Sequence, residues 1–158
     1  MSEWIETKVA EIKAVLEVIT DLKNIYKRDR WTVDPQQFRN LFTEPISGKN
    51  RRVHTWMIGR EGFRETKDYQ VRFIRTHSII IRGFFAFNEE KDSWTAFQSL
   101  IDKISAGLRN NQTIWNACSE GVEEAVQARL IGYEFFGEVF CHYCELVLEV
   151  EEHNIKTY

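Results

Sequence analysis

Cys141-His142-Tyr143-Cys144 brings together residue types that ligate zinc. Two cysteines three apart converge on one metal only across a tight turn, whereas an extended chain sends them to opposite faces. The alternation on either side predicts an extended chain, and no second Cys or His pair lies at ligand spacing. Cys144 is therefore read as a small buried apolar residue and Cys141 as semi-exposed, with no metal site. The remaining histidines, His54, His77 and His153, are scattered, and an imidazole within a strand is ordinarily a hydrogen-bonded sheet position. Cys118 with a distant His could form a nucleophile and base, but neither a nucleophile-elbow pattern nor an oxyanion-forming glycine cluster flanks it. No Walker-type loop or GxGxxG is present. The expectation is a chain without catalytic residues and without a cofactor.

Arg72, Arg75 and Arg82 interleave with Phe73, Phe84 and Phe85, a pattern that could stack and neutralise single-stranded nucleic acid. The core needs Phe73 and Phe85, and the net charge is −3, so nucleic acid is not the expected partner. That total hides a division. From Lys49 to Arg82 nine Lys or Arg face three acids, while Glu120 to Glu152 carries nine acids against Arg129 alone. Such a division is either solvated surface or the basis of head-to-tail association between copies.

These side chains need elements to hold them. With 158 residues and 43% hydrophobic content the chain supports one domain, residues 1–158, with a real core. No apolar run of about 18 residues exists to span a bilayer. The start MSEWIETK lacks a signal-peptide pattern, and the three cysteines are an odd number, so a soluble protein made in the cytoplasm is expected.

Ile5, Val9, Ile12, Leu16, Ile19 and Tyr26 recur at helical spacing and predict a helix over 3–28. Its wide apolar stripe suits a helix lying on a sheet, or alternatively a coiled-coil partner. Trp31 to Val33 reads as a short extended piece. Asp34-Pro35 predicts a capped short helix to about Thr43, followed by a loop from Glu44 to Asn50. Val53 to Gly59 alternates as a strand, and Arg60 to Lys67 reads as its connection to the next. Asp92 or Ser93 can cap a helix that runs to about Arg109, with Trp94, Phe97, Ile101, Ile104 and Leu108 on its buried face. Residues 120–127 read equally as helix or strand. Ala128 to Phe136 and Val139 to Val150 form a final hairpin about Gly137.

Asp68 to Asn88 alternates almost without a break, far beyond the usual strand of about 5 to 6 residues. Either it bends, with Gly83 as the natural site, or part of it projects. The fold class read from this is α+β: a largely antiparallel sheet of two hairpins, packed with a long N-terminal helix and a central helix, in the order ααββαββ. The hairpin about 53–82 is expected to project.

The stretches RVHTWMIGR, RTHSIIIRGFFAF with DSWTAFQSLIDKI, and FGEVFCHYCELVLEVE resemble tail terminator and related head-to-tail joining proteins of long-tailed bacteriophages, over residues 5 to 152. The resemblance implies a small non-enzymatic subunit of the virion tail or neck. Such subunits assemble, usually as a hexameric ring, on the end of the tail tube to stop its growth and meet the head connector. The partners it implies are further copies of the chain, the tail-tube protein and the connector, with DNA only passing through the ring. The family has no fixed active-site residues to carry across. Interface residues are therefore expected from this chain's own charges: Arg60, Arg64, Arg72 and Arg75 on the arm, and Glu145, Glu149 and Glu151 as their complement. The alternative is a small α+β ligand-binding protein or enzyme, with a pocket between helices and sheet around Trp56, His77 and His142.

Overall fold

The computed structural model describes residues 2–67, 72–118 and 126–153. Four helices and six strands alternate along them: α1 (Glu3–Val18), β1 (Ile25–Tyr26), α2 (Pro35–Phe42), β2 (Thr43–Ser47), β3 (Asn50–Lys67), β4 (Phe73–Ala86), α3 (Ser93–Arg109), α4 (Gln112–Ala117), β5 (Gln127–Phe136) and β6 (Val139–His153). The strands form one mixed sheet in the order β1-β3-β4-β6-β5, with β2 folded back on β3. Every pair is antiparallel except β1 with β3. The fold is α+β.

One face of the sheet carries the larger core. Ile5, Val9, Ile12 and Leu16 from α1 and Phe97, Ile101, Ile104 and Leu108 from α3 close on Trp56, Ile58, Ile79, Ile81, Leu146 and Leu148. Each fully buried side chain of this size contributes about 1.5–3 kcal/mol, so the stripe on α1 is stabilised by the sheet of its own chain. The opposite face carries a smaller aromatic core, in which Phe42 of α2 packs with Val53, Met57, Phe84, Phe136 and Tyr143. Asp34 caps α2 by accepting from the Gln36 and Gln37 amides, and Asp92 caps α3 by accepting from Thr95.

Several expectations are corrected. The first helix stops at Val18, not at residue 28. Asn24 adopts φ 54 and its side-chain amide donates to the carbonyls of Thr43 and His54, which turns the chain into β1. Trp31 to Val33 is not a strand, and Thr43–Ser47, read as the end of a helix and a loop, is β2, turned about Gly48 at φ 53. Arg60 to Lys67 is not a connection but the outer half of β3. The connection, and the 68–71 part of the long strand, lie outside the described residues, as do 120–125 of the stretch read as helix or strand.

Gly83 does not bend β4: it pairs with Trp56 on one side and Cys144 on the other without a break. A Cβ there would lie 2.2 Å from the Trp56 ring, so the glycine makes room for the indole. The hairpin about 53–82 is flanked along its described length, because β6 pairs with β4 out to Ile74 opposite His153. Beyond Gly62, however, every residue of β3 is exposed.

Candidate assembly interface

The alternation of β3 and β4 continues past the helices, so the outer half of this three-stranded arm has two accessible faces. On the helix side, Trp4 from the first turn of α1 stacks on His77, with ring centroids 5.4 Å apart. Phe63 lies beside the same imidazole, 51% exposed, with the guanidinium groups of Arg60 and Arg75 each 5.0 Å from its ring. Arg75 also reaches Glu65 at 3.2 Å and Glu152 at 3.8 Å, and His77 Nε2 meets Glu152 at 2.9 Å.

The opposite face is charged. Arg64 meets Glu149 at 3.3 Å. Arg129 of β5 donates from Nε to Glu145 at 2.8 Å and grips Glu61 with both terminal nitrogens. These contacts raise the Arg129 pKa further, through Glu61 first and then Glu145, and hold the Glu61 carboxyl below its ordinary value. Glu151 pairs with His153 at 3.1 Å, and Arg72 immediately precedes β4. The basic and acidic segments therefore meet inside one chain. Arg75 sits directly opposite Glu152 on the adjacent strand, and Arg64 reaches Glu149 across β4, because β6 lies beside the hairpin.

The far edge of the sheet was not singled out from sequence. On β5, Ile131, Tyr133 and Phe135 point to the helix side but lie beyond the end of the helical layer, with Phe135 64% and Tyr133 51% exposed. Phe87, Phe140 and Trp94 complete the patch: Tyr133 stacks on Phe140 at 5.4 Å, and Trp94 lies 6.1 Å from Tyr133. Trp94, expected on the buried face of its helix, is exposed here together with Phe87, because α3 starts at this corner and leaves its first turn open to solvent. The outer edge of β5 has no strand partner among the described residues, and neither has β3 from Ile58 to Lys67 on the side away from β4. No local signal marks the β5 edge: the consecutive apolar pair Leu130-Ile131 reads like Ile79 to Ile81, which are fully buried.

Trp56, His77 and His142 do not gather round a cavity. Trp56 is packed between Gly83 and Phe97, and all three are fully buried. Ser93 Oγ lies 2.7 Å from His142 Nε2 and accepts from the Asn88 amide, while His142 Nδ1 has no partner among the described residues. This Ser–His contact thus lacks the orienting carboxylate of a nucleophile–base pair and ties α3 to β6. Cys141 and Cys144 belong to opposite cores, and burial pushes both thiols up to about 12. Among the described residues no group of His, Cys, Asp and Glu is arranged to hold a metal ion.

Two adjoining surface cavities of about 330 and 400 Å³ share Arg52, Phe85 and Ala96. The larger is lined by Glu44 and His54, whose Nδ1 lies 3.0 Å from the carboxylate, and by Lys103, which pairs with Asp21. Burial raises the Glu44 pKa, but the hydrogen bonds from His54 and Arg52 outweigh it and leave the carboxyl below its ordinary value.

No helix among the described residues is long and apolar enough to cross a membrane. No protein-family model matches the chain, and no curated protein matches it.

Proposed function

We propose that this chain is a non-enzymatic structural subunit that closes into a ring through head-to-tail contacts. In this reading it is a tail terminator or head–tail joining protein of a long-tailed phage or prophage, located in the tail or neck of the virion. It caps the tail tube and meets the head connector, and DNA passes through the ring without being read. The observation that supports this best is the pair of open sheet edges on opposite sides of one molecule, one bearing exposed aromatics and the other lying on an exposed arm. An unpaired strand edge with large exposed apolar side chains is a surface that soluble chains normally cover, and two different edges make a heterologous contact, which gives a ring when the rotation from copy to copy closes.

The test is sizing with light scattering, alone and with tail tubes, and imaging of tube ends. A concentration-dependent closed oligomer that sits on tube ends and stops their growth is the expected result. A monomer at high concentration, even with tubes present, would overturn the reading.

A second reading, a small ligand-binding protein, is favoured by the Glu44–His54 pair beside the larger cavity. A shift in melting temperature on titration with small anions or metabolites, lost in Glu44→Gln, would support it.

A further inference from the structure

We propose that β5 of one copy adds to the outer edge of β3 in the next copy, so that the sheet continues from subunit to subunit through the aromatic corner. The inference rests on the ring reading above and names the surfaces that make the contact.

Strand direction permits the junction. β3 and β6 both run antiparallel to β4, and β5 runs antiparallel to β6, so β5 is antiparallel to β3. A copy translated in the plane of the sheet, stepped across it and slid along the strands without inversion, therefore offers its β3 edge to β5 in the antiparallel sense, and the alternation of directions is unbroken. Both edges carry unused backbone donors and acceptors, the basis of strand addition.

The side chains select a register. With Phe135 opposite Phe63 of the neighbour, Glu134 falls opposite Arg64, and residues 131–136 lie along 62–67. This overlap avoids the bulges in both strands, which lie at Arg60/Gly62 and at Ala128/Leu130. The faces agree as well. Phe63 pairs with His77 beneath Trp4, and Ile131 pairs with Cys144 of the helix-side core, so Phe63 and Phe135 share the helix side. Glu134 pairs with Cys141 of the opposite core, and Arg64 reaches Glu149 on that same face. Charge is complementary: Glu134 and Glu138 at the β5 edge have no ion pair among the described residues, while Arg60, Arg64 and Lys67 line the β3 edge. Exposed Phe63 and Phe135 become covered by one another, which answers for two large apolar side chains that the monomer leaves in water.

The contact is tested by charge reversal and by cross-linking, with circular dichroism checking that each variant folds. Glu134→Arg and Arg64→Glu are each expected to raise the concentration for half-assembly by about tenfold, and the double variant to recover most of that loss. Phe135→Asp is expected to remain monomeric. Phe63→Cys combined with Phe135→Cys is expected to give a ladder of disulfide-linked copies on mild oxidation, ending at the ring size, since the two positions lie on opposite edges of one sheet. If wild-type rings form, but Phe135→Asp assembles normally and the cysteine pair stays monomeric, this contact is wrong and the ring reading survives. If the wild-type chain never assembles, both fall.

Discussion

Arg129 on β5 and Glu61 on β3 form a bidentate ion pair, with Nη1 to Oε2 at 2.7 Å and Nη2 to Oε1 at 2.8 Å, across the two strands that separate them. The bridge lies on the face opposite α1 and α3, to which buried Ile80 points between Gly59 and Val147. No helix among the described residues covers this region, and a Cβ at Gly59, Gly62 or Gly132 would meet nothing within 4 Å. A long guanidinium stem and its two carboxylate partners thus take the place of a second layer. Exposed pairs contribute little individually and are screened by salt. Arg129→Ala is therefore expected to lower the urea midpoint modestly in low salt. Most of the difference should vanish near 1 M salt, leaving a remainder from the uncovered Ile80. An identical shift at both salt concentrations would mean that the charges contribute nothing.

Gly83→Ala brings a methyl group to 2.2 Å from the Trp56 ring, in a core where the indole also stacks on Phe97 at 6.0 Å. Neither ring has room to retreat, and overpacking of this kind costs about 1–3 kcal/mol. A fall in melting temperature is expected, partly reversed in Gly83→Ala combined with Trp56→Leu. A variant as stable as the wild type would show that the glycine serves the backbone and not the tryptophan.

What sequence reveals here divides along a physical line. Periodicity located α3, β6 and the inner half of β4, because each has a continuous apolar face whose spacing is local. It also located the stripe on α1 but overran its end: Asn24 at positive φ is stabilised by carbonyls 19 and 30 residues away, and no local pattern announces that. β3 was cut short at Gly59 since its outer half has no buried face, only pairing to β4. The charge division was legible as composition. Its meaning was not, because whether Arg64 meets Glu149 of its own chain or of another depends on β6 lying beside β4. The exposed edge at Tyr133 and Phe135 could not be read at all, as alternation says which residues share a face but not where the covering helix ends.

Acid should destabilise the fold in two steps. Burial lowers the pKa of His142 from 6.5, and the groups around it are Ser93 Oγ and the rings of Phe87, Trp94, Phe97 and Tyr133, none of them charged. The unfolded chain binds that proton more readily, so the stability is present above pH 6.5 and is lost as pH falls through the lower folded value. Glu44 gives a second step of the same sign. Its folded carboxyl is held below 4.5, so its contribution is present above 4.5 and is lost as pH falls further. Melting temperature against pH should therefore decline first below about 6.5, a step removed in His142→Gln. The second decline, below about 4.5, should be reduced in Glu44→Gln, the rest of it coming from Asp21, Glu61 and Glu145, whose carboxyls are also held below their ordinary values. A flat profile between pH 7 and 5 would contradict the first assignment.

Asn24 joins the end of α1 to both layers with one residue. Its amide donates to Thr43 at 3.1 Å and His54 at 2.9 Å, and its own carbonyl accepts from the Trp56 amide at 3.0 Å and the Thr55 hydroxyl at 2.9 Å. The side chain and the φ of 54 make separable contributions, and two substitutions part them. Asn24→Gly keeps the left-handed backbone at no steric cost and loses only the two side-chain bonds, each about 1 kcal/mol. Asn24→Ala loses the same bonds but keeps the Cβ, whose removal in glycine relieves about 1 kcal/mol in that region. Alanine should therefore be the less stable of the two in urea unfolding, with both below the wild type. In both, faster amide exchange is expected at Trp56, whose hydrogen bond to the Asn24 carbonyl anchors β1 to β3. Equal stability of the glycine and alanine variants would mean that the backbone at residue 24 relaxes when its side chain is removed, and that the turn after α1 is held by Leu22 in the core instead.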